Sequence, residues 1–260
     1  GLWAIGNADH LSELSNGISI VGSRIASAYG ERACSELVGP LIARGYLIIS
    51  GGAYGIDAMA HKATLALRGV TAAMMAGGLD QLYPSGNRDL FKAIASNGLI
   101  LSELPPGAEP TKWRFLQRNR LIAALGQATV VIEANPKSGA VSTANRAIEL
   151  ERPLGAVPGP IDSPGSDGCH QLIRQLKAEL ITCAEDVIEL LEPNGQSVEL
   201  LEQGLGALET RVLDAIAFGN ATIEKIRADA GLTNSEATLG LSGLALLGIV
   251  EQHNGGWQRR

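Results

Sequence analysis

The chain has 260 residues, of which 45% are hydrophobic, 18% charged and 4% aromatic, and its formal net charge at pH 7 is −6. This apolar fraction supports a full core and excludes a disordered chain, while the length predicts one large domain with room for a small second one. The longest nearly uninterrupted apolar run, Leu121 to Ile132, is too short for a membrane span of ~20 residues, and the acidic balance argues against a protein that coats nucleic acid through overall charge.

Short apolar runs alternate with helical segments over residues 18–190. Strands are predicted at Ile18–Gly22, Tyr46–Ser50, Val70–Met75, Leu99–Ser102, Thr129–Glu133 and Leu154–Val157, the last of these being the final parallel strand. Helices are predicted near Ser27–Arg44, Gly55–Leu67, Asp89–Ser96 and Ala140–Leu150. Runs that are apolar throughout are typical of strands covered on both faces. The alternation predicts an α/β fold with a doubly wound, mostly parallel, Rossmann-like sheet over residues 1–191.

The composition changes after Leu191. Residues 192–204 have the character of a linker, because they begin with Glu-Pro-Asn-Gly-Gln-Ser. Residues 205–260 predict three helices, at Leu208–Ala217, Ala221–Ala230 and Asn234–Leu247, followed by a hairpin over residues 249–259. Three helices and a two-stranded wing indicate a small C-terminal winged-helix domain.

Small and hydroxyl-bearing residues follow most of the predicted strands. In open α/β sheets, ligands bind at the carboxyl ends of the strands, where helix N-termini present free N–H groups to anions. The loops in question contain Gly22-Ser23-Arg24, Ser50-Gly51-Gly52-Ala53, Gly77-Gly78, Lys137-Ser138-Gly139 leading into Thr143, and Pro158-Gly159. Their chemistry indicates a surface that receives phosphate, although each loop taken alone is also compatible with a simple tight turn.

A basic stretch without acidic residues spans residues 110–132. It contains Lys112, Arg114, Arg118 and Arg120, together with the aromatic residues Trp113 and Phe115. Aromatic side chains interleaved with cations are the pattern that stacks single-stranded bases while holding their phosphates. The alternatives are a solvated helix face for the cations and a core position for Phe115.

Motifs for other chemistries are missing. The chain has no GxxxxGK[ST], no GxGxxG and no GxSxG, which disfavours a nucleoside-triphosphatase, a dinucleotide cofactor and a serine hydrolase. Asp57 and His61 share a helix face, yet no nucleophile accompanies them, so a structural pair is favoured over an acid–base unit. Neither the histidines nor the three scattered cysteines have metal-site spacing, and no secretory-signal pattern opens the chain, so we expect no metal and a cytoplasmic protein.

Several short motifs, in a fixed order over residues 18–190, carry a family resemblance. They are Val21-Gly22-Ser23-Arg24, Ser50 to Asp57 with Ala60-His61, Gly77-Gly78-Leu79-Asp80 with Tyr83-Pro84, Ser102-Glu103, Arg118-Asn119-Arg120, Ser138-Gly139 with Thr143, and Pro158-Gly159. With these motifs the chain resembles the DNA processing protein A family (DprA, also called Smf), recombination mediators of bacterial natural transformation.

The resemblance implies an extended Rossmann-like domain that binds single-stranded DNA without sequence preference, needs no cofactor and catalyses no reaction. It implies a homodimer that helps load the RecA recombinase. By motif, Arg24 and Lys112 contact phosphates, Phe115 meets a base, Arg118 and Arg120 add charge or hold the pocket together, and Asn119 fixes the local backbone. Backbone and hydroxyl contacts come from Ser50 to Ala53 and from Ser138-Gly139, and the dimer interface falls near residues 145–185.

Two other function classes remain open. One is a nucleotide phosphoribohydrolase of a related Rossmann-like group, although Pro136-Lys137-Ser138-Gly139-Ala140 replaces that group's PGGxGT and no Glu follows until Glu149. The other is a transcription regulator that uses the winged helix. The predicted third helix of that domain has no Lys or Arg, which argues against duplex binding, because phosphate neutralisation requires cations.

Overall fold

The computed structural model describes residues 1–191, 206–216, 221–253 and 255–259. The chain divides into two compact units, Gly1–Pro193 and Asn194–Arg260. The predicted linker, residues 192–204, lies outside the described residues.

Strands and helices alternate through the first unit. Their order is β1 (Trp3–Gly6), β2 (Gly17–Gly22), α1 (Ala28–Ala43), β3 (Leu47–Gly51), α2 (Ile56–Ala66), β4 (Thr71–Met74), α3 (Arg88–Asn97), β5 (Leu99–Ser102), α4 (Lys112–Leu125), β6 (Ala128–Ile132), α5 (Gly139–Glu149), β7 (Leu154–Ala156), α6 (Asp167–Arg174), β8 (Glu179–Leu180) and α7 (Ala184–Glu189). Short 3-10 helices occupy Ala8–Asn16 and Ser85–Asn87.

Eight strands form one sheet in the order β1-β5-β4-β3-β2-β6-β7-β8. All neighbours are parallel except β1 and β5, which are antiparallel. The predicted α/β class with a mostly parallel, Rossmann-like sheet is therefore confirmed.

Two edge strands lie outside the sequence prediction. β1 pairs with β5 and is exposed at all four positions, although its residues Trp3, Ala4 and Ile5 form a short apolar run that was not assigned to a strand. β8 has only two residues, both exposed, and pairs with β7, so the interpretation of Leu154–Val157 as the last parallel strand was wrong.

The core lies on both faces of the sheet. On one face α1, α2 and α7 cover Ile18, Ile20 and Ile48, and on the other face α4, α5 and α6 cover Val21, Ile49 and other strand residues. Strand residues such as Ile20, Ile48 and Ile132 are wholly buried, which is why the strands read as continuous apolar runs.

The sheet order reverses between β2 and β6. Strands β3, β4 and β5 extend to one side of β2, and β6, β7 and β8 extend to the other. In open sheets of this class a crevice forms at the carboxyl ends of the strands at that switch point. The ends of β2 and β6 are therefore where a ligand is expected.

The second unit has its own small core. It consists of α8 (Ala207–Ala215), α9 (Ile223–Ala230), α10 (Asn234–Leu246) and an antiparallel hairpin, β9 (Val250–His253) and β10 (Gly256–Arg259). Ala221, predicted to begin a helix, instead pairs with Trp257, and Thr222 caps α9 by accepting from the Lys225 N–H. Within the described ranges of both units, we find no helix with the length and hydropathy needed to cross a bilayer.

Candidate nucleic-acid interface

A cleft of about 910 Å³ opens at the carboxyl ends of β2 and β6. One wall is the first half of α4, and another is the start of α5. The loops after β2, β3, β4 and β6 contribute further lining residues. The crevice expected from the sheet order is thus present in the first unit.

Ten residues predicted from the sequence line this cleft, and five do not. The lining residues are Ser23, Arg24, Ala53, Lys112, Phe115, Arg118, Asn119, Ser138, Gly139 and Thr143. The remaining five are Ser50, Gly51, Gly52, Arg120 and Lys137.

The loop after β3 lies largely beneath the cleft. Ser50 is fully buried, and its hydroxyl donates to the carbonyl of Ile20 at 2.5 Å, so its side chain is not available to a ligand. A Cβ on Gly52 would lie 2.9 Å from the ring of Phe91, so this glycine is required by packing. Only Ala53 of this loop reaches the lining.

Arg120 and Lys137 lie outside the cleft for different reasons. The Arg120 guanidinium pairs with both carboxylate oxygens of Glu103, at 2.7 and 2.6 Å. Lys137 is exposed on the loop that precedes α5, next to Ser138, which does line the cleft. The sequence could not distinguish these two cations from Arg24 and Lys112. Lys137 follows a strand, as Arg24 does, and Arg120 lies on the same basic segment as Lys112.

Phe115 is surrounded by groups from three other positions. Its ring centroid lies 5.9 Å from that of Tyr83, with 62° between the ring planes. The guanidinium carbon of Arg24 lies 5.5 Å from the Phe115 centroid, and that of Arg118 lies 5.8 Å away. A cation over an aromatic face is attracted by the ring quadrupole, so these contacts stabilise the cluster.

Arg118 is an internal cation. It is 7% exposed, and its Nη1 donates to the carbonyl of Met74. Burial lowers the pKa of Arg118, and the neighbouring carboxylate of Asp57 opposes this change. Burial likewise raises the pKa of Asp57, against the effect of Arg118. Because Arg118 is buried and donates to the main chain of β4, its side chain helps to hold the cleft floor together and is less available to a ligand than an exposed cation.

Gly51 lies at the centre of this buried pair. A Cβ at this position would be 2.5 Å from Nη1 of Arg118 and closer still to Oδ2 of Asp57. The carbonyl of Gly51 also accepts a hydrogen bond from Nε2 of His61 at 2.7 Å, while Nδ1 of His61 meets Thr71 Oγ1 at 2.7 Å. Burial lowers the pKa of His61 to about 4, so this imidazole is neutral at pH 7. The arrangement agrees with a structural role for His61.

Hydrogen bonds fix the start of α5 against α4. The side-chain amide of Asn119 donates to the carbonyl of Gly139 at 3.2 Å, and the Thr143 hydroxyl donates to the same oxygen at 3.2 Å. Ser138 caps α5 by accepting from the Val141 N–H at 3.3 Å. A Cβ on Gly139 would meet nothing within 4 Å, so the helix N-terminus faces open space.

Sequence reasoning missed several lining residues, among them Tyr83, Glu133 and Asn135. Glu133 is 5% exposed and has a positive φ of 52°. Its carboxylate accepts from the Ser27 N–H at 2.9 Å and from the Ser27 hydroxyl, so it anchors the start of α1. An acidic residue directly after an apolar strand was the available signal, and it was instead assigned to the end of that strand.

This cleft combines two exposed cations, Arg24 and Lys112, with an aromatic cluster and an open helix N-terminus. Such a set can hold phosphates and stack bases. No group of three or more His, Cys, Asp or Glu side chains able to hold a metal occurs in the part of the chain that the structure describes.

Comparison with known proteins identifies the family. The family profile described as DNA recombination-mediator protein A matches residues 1–192. A Mycobacterium tuberculosis protein named as a DprA, a DNA processing protein, is 41% identical over 269 residues, which cover 99% of this chain and 68% of the relative. The chain belongs to the DprA family.

Solved DprA structures share the fold of the first unit. DprA from Streptococcus pneumoniae is 40% identical, with a TM-score of 0.67, over 72% of this chain and 65% of that chain. DprA from Helicobacter pylori is 32% identical, with a TM-score of 0.66, over 74% of this chain and 87% of that chain, and its structure was described for a single-stranded DNA binding mode. This chain thus spans about two thirds of the length of the mycobacterial and pneumococcal DprA proteins.

Proposed function

We propose that this DprA-family protein binds single-stranded DNA in the cleft, without sequence preference and without catalysing a reaction. The observation that carries the proposal is the placement of Arg24, Lys112 and Phe115 on one cleft, although they come from two separate segments of the chain. The description of the H. pylori relative as a single-stranded DNA binder supports it.

Each part of the cleft has a distinct task in this proposal. Arg24 and Lys112 bind phosphates, because both are exposed, in contrast to the buried Arg118. Phe115 stacks on a base, which is possible only when that base is unpaired. Phosphate contacts and stacking carry no sequence information, so the binding is sequence-independent.

The remaining polar groups position these contacts. Arg118 packs over the Phe115 ring, and Asn119 and Thr143 hold the N-terminus of α5 toward the cleft. Ser23, Ala53, Ser138 and Gly139 leave room for the backbone of the strand to approach. Arg120 is neutralised by Glu103 and contributes little to binding.

Fluorescence anisotropy tests this function. Labelled oligo-dT and a duplex of equal length are titrated across a salt series, and we expect tight, salt-dependent binding of the single strand only. Equal binding of both, or binding of neither, would contradict the proposal. In the latter case a nucleoside monophosphate hydrolysis assay tests the phosphoribohydrolase alternative directly.

We also propose a homodimer formed through the β8 edge. Ile161 is 93% exposed and Leu176 is 94% exposed, and Leu180 on β8 is half-exposed. Large apolar side chains at such exposure favour burial in an interface. Light scattering should report twice the chain mass for the wild type and the monomer mass for Leu176→Glu, with Leu67→Glu, on a distant exposed site, as the control.

The family resemblance extends the proposal to recombinase loading in the cytoplasm. A protein that holds unpaired bases keeps the strand accessible to RecA. The test is the rate at which RecA displaces a single-strand-binding protein from DNA, with and without this protein. An unchanged rate would remove the loading role and leave DNA binding intact.

The second unit is proposed to be a winged helix that contacts protein. Its three helices and hairpin fit that arrangement, and residues 196–260 contain five basic residues against eight acidic ones. Its α10 carries Glu236, engaged in a capping box with Thr233, and no cation, while Leu239 on that helix is exposed. A surface of this kind lacks the phosphate-binding charge that duplex DNA requires.

A further inference from the structure

Tyr83 is an aromatic residue of the cleft that the proposed phosphate and base contacts do not use. It lies on the loop between β4 and the 3-10 helix Ser85–Asn87, and it lines the cleft. It is 52% exposed, so about half of its surface is open to a ligand.

The loop that carries Tyr83 is held on both sides. At its start, the N–H of Gly78 donates to the carbonyl of Ala108 at 2.8 Å. At its end, the side-chain amide of Asn87 donates to the carbonyls of Gly52 at 3.0 Å and Ala53 at 3.2 Å. Because these bonds tie the loop to its neighbours, the exposed ring is presented in a fixed place, which reduces the entropy cost of a contact.

The two rings cannot share one base. Their planes are inclined by 62° and their centroids are 5.9 Å apart, so a flat base that stacks on Phe115 does not lie parallel to Tyr83. A base that stacks on Tyr83 must therefore be another base. Bases stacked on one another in a helix are separated by about 3.4 Å, so two bases on these rings are also unstacked from each other.

The two rings also differ in how much of their surface neighbouring cations cover. Arg24 and Arg118 both lie over Phe115, at 5.5 and 5.8 Å from its centroid. Part of the Phe115 surface is thereby covered before DNA binds, whereas Tyr83 keeps half of its surface in water. Tyr83 is accordingly the more accessible of the two rings.

We propose that Tyr83 is a second stacking residue, which takes the base adjacent to the one on Phe115 and holds the two bases apart. This inference rests on the proposed binding of single-stranded DNA in the cleft. It assigns a pair of neighbouring, mutually unstacked bases to one cleft.

Photocrosslinking tests the contact directly. An oligonucleotide in which every base is 5-iodouracil is bound, irradiated and digested, and the adducts are mapped by mass spectrometry. We expect adducts on both Phe115 and Tyr83. Adducts on Phe115 alone would overturn the inference while leaving the proposed function intact, and an absence of DNA binding by the wild type would defeat the proposed function itself.

Affinities of matched variants separate stacking from support of Phe115. Tyr83→Leu should weaken binding of oligo-dT by roughly 5- to 100-fold, whereas Tyr83→Phe should bind as the wild type does. Trp3→Leu is the control, because Trp3 on the edge strand β1 is similarly exposed at 51% and is not among the lining residues of the cleft. An abasic oligomer of equal length keeps the phosphates and lacks bases, so Tyr83→Leu should leave its affinity unchanged.

The Phe115→Leu background completes the test. A stacking role for Tyr83 predicts that Tyr83→Leu still weakens binding when Phe115 is absent, although by a different factor, because rings in contact do not contribute additively. A Tyr83 that acts only by orienting Phe115 has no further effect once Phe115 is replaced, and that result would overturn the inference.

Discussion

Replacing Arg24 with alanine is the most direct test of which cations bind phosphate. Arg24 is exposed, lines the cleft and lies over Phe115, whereas Arg120 on α4 is already paired with Glu103. Arg24→Ala and Arg120→Ala each remove one positive charge, so their effects on the long-range field are matched. The comparison isolates contact with the strand.

The expected size of the effect follows from counterion release. For single strands, each phosphate that a cation neutralises contributes about 0.7 to the slope of log K against log salt. When the salt concentration falls tenfold, from 1 M to 0.1 M, one such contact raises the affinity about fivefold, which is ~1 kcal/mol of binding free energy. Arg24→Ala should therefore reduce the slope by about 0.7 and weaken binding about fivefold at 0.1 M salt, while Arg120→Ala should change affinity less than about twofold.

Anisotropy titrations of labelled oligo-dT at four or more salt concentrations measure both quantities. Arg24→Lys serves as a second control, because it keeps the charge and should retain most of the slope. An unchanged slope for Arg24→Ala would remove Arg24 from the phosphate contacts. An equal loss for Arg120→Ala would show that overall charge, and not position in the cleft, governs binding.

Three further outcomes are expected. Gly51→Ala should lower the free energy of unfolding by about 1–3 kcal/mol in chemical denaturation, because its Cβ would collide with the buried side chains of Asp57 and Arg118, whereas Gly139→Ala, facing open space, should leave it unchanged. Because the pKa of His61 falls from 6.5 to about 4 on folding, the unfolded state binds the proton more readily between these values, so stability should decline as the pH drops from about 6.5 to 4. The loss should be of order 3 kcal/mol, and denaturation curves of His61→Asn should lack that part of the pH dependence; an identical dependence in the variant would contradict the assignment. A chain of residues 1–191 should retain affinity for oligo-dT within about tenfold, and a larger loss would assign DNA contacts to the second unit.

The helices and central strands could be predicted because the burial of their residues leaves a clear pattern of apolar positions in the sequence. A strand such as β6 is buried on both faces, so its apolar run is unambiguous, and the prediction of Thr129–Glu133 differs by one residue at each end from Ala128–Ile132. The edge strands β1 and β8 are exposed, and their pairing is decided by the neighbouring strand and not by their own side chains. The two residues of β8 offer no local pattern, whereas the apolar run at residues 2–5 was an available signal for β1.

Within the candidate site, the sequence predicted which residues lie at the cleft better than it predicted what each side chain does there. Arg24, Arg118 and Arg120 look alike in the sequence, yet the structure makes the first exposed, the second buried beside Asp57 and the third paired with Glu103. The difference arises from partners that lie far away along the chain, 17 residues from Arg120 for Glu103 and 61 residues from Arg118 for Asp57. The sequence did not identify Tyr83 as a cleft residue for the same reason, because its position beside Phe115 is set by a contact between distant parts of the chain.

The pairing of β2 with β6 has a consequence for synthesis on the ribosome. Ile18 on β2 pairs with Ile48 on β3, which emerges soon afterwards, but its other partner, Ala128 on β6, is made more than a hundred residues later. A nascent chain can therefore assemble β2 to β5 while one whole wall of the cleft, with α5, does not yet exist. Translation delays DNA binding until most of the first unit has been made, so ribosome-stalled chains that end before β6 should fail to retain oligo-dT, whereas chains released after α7 should retain it.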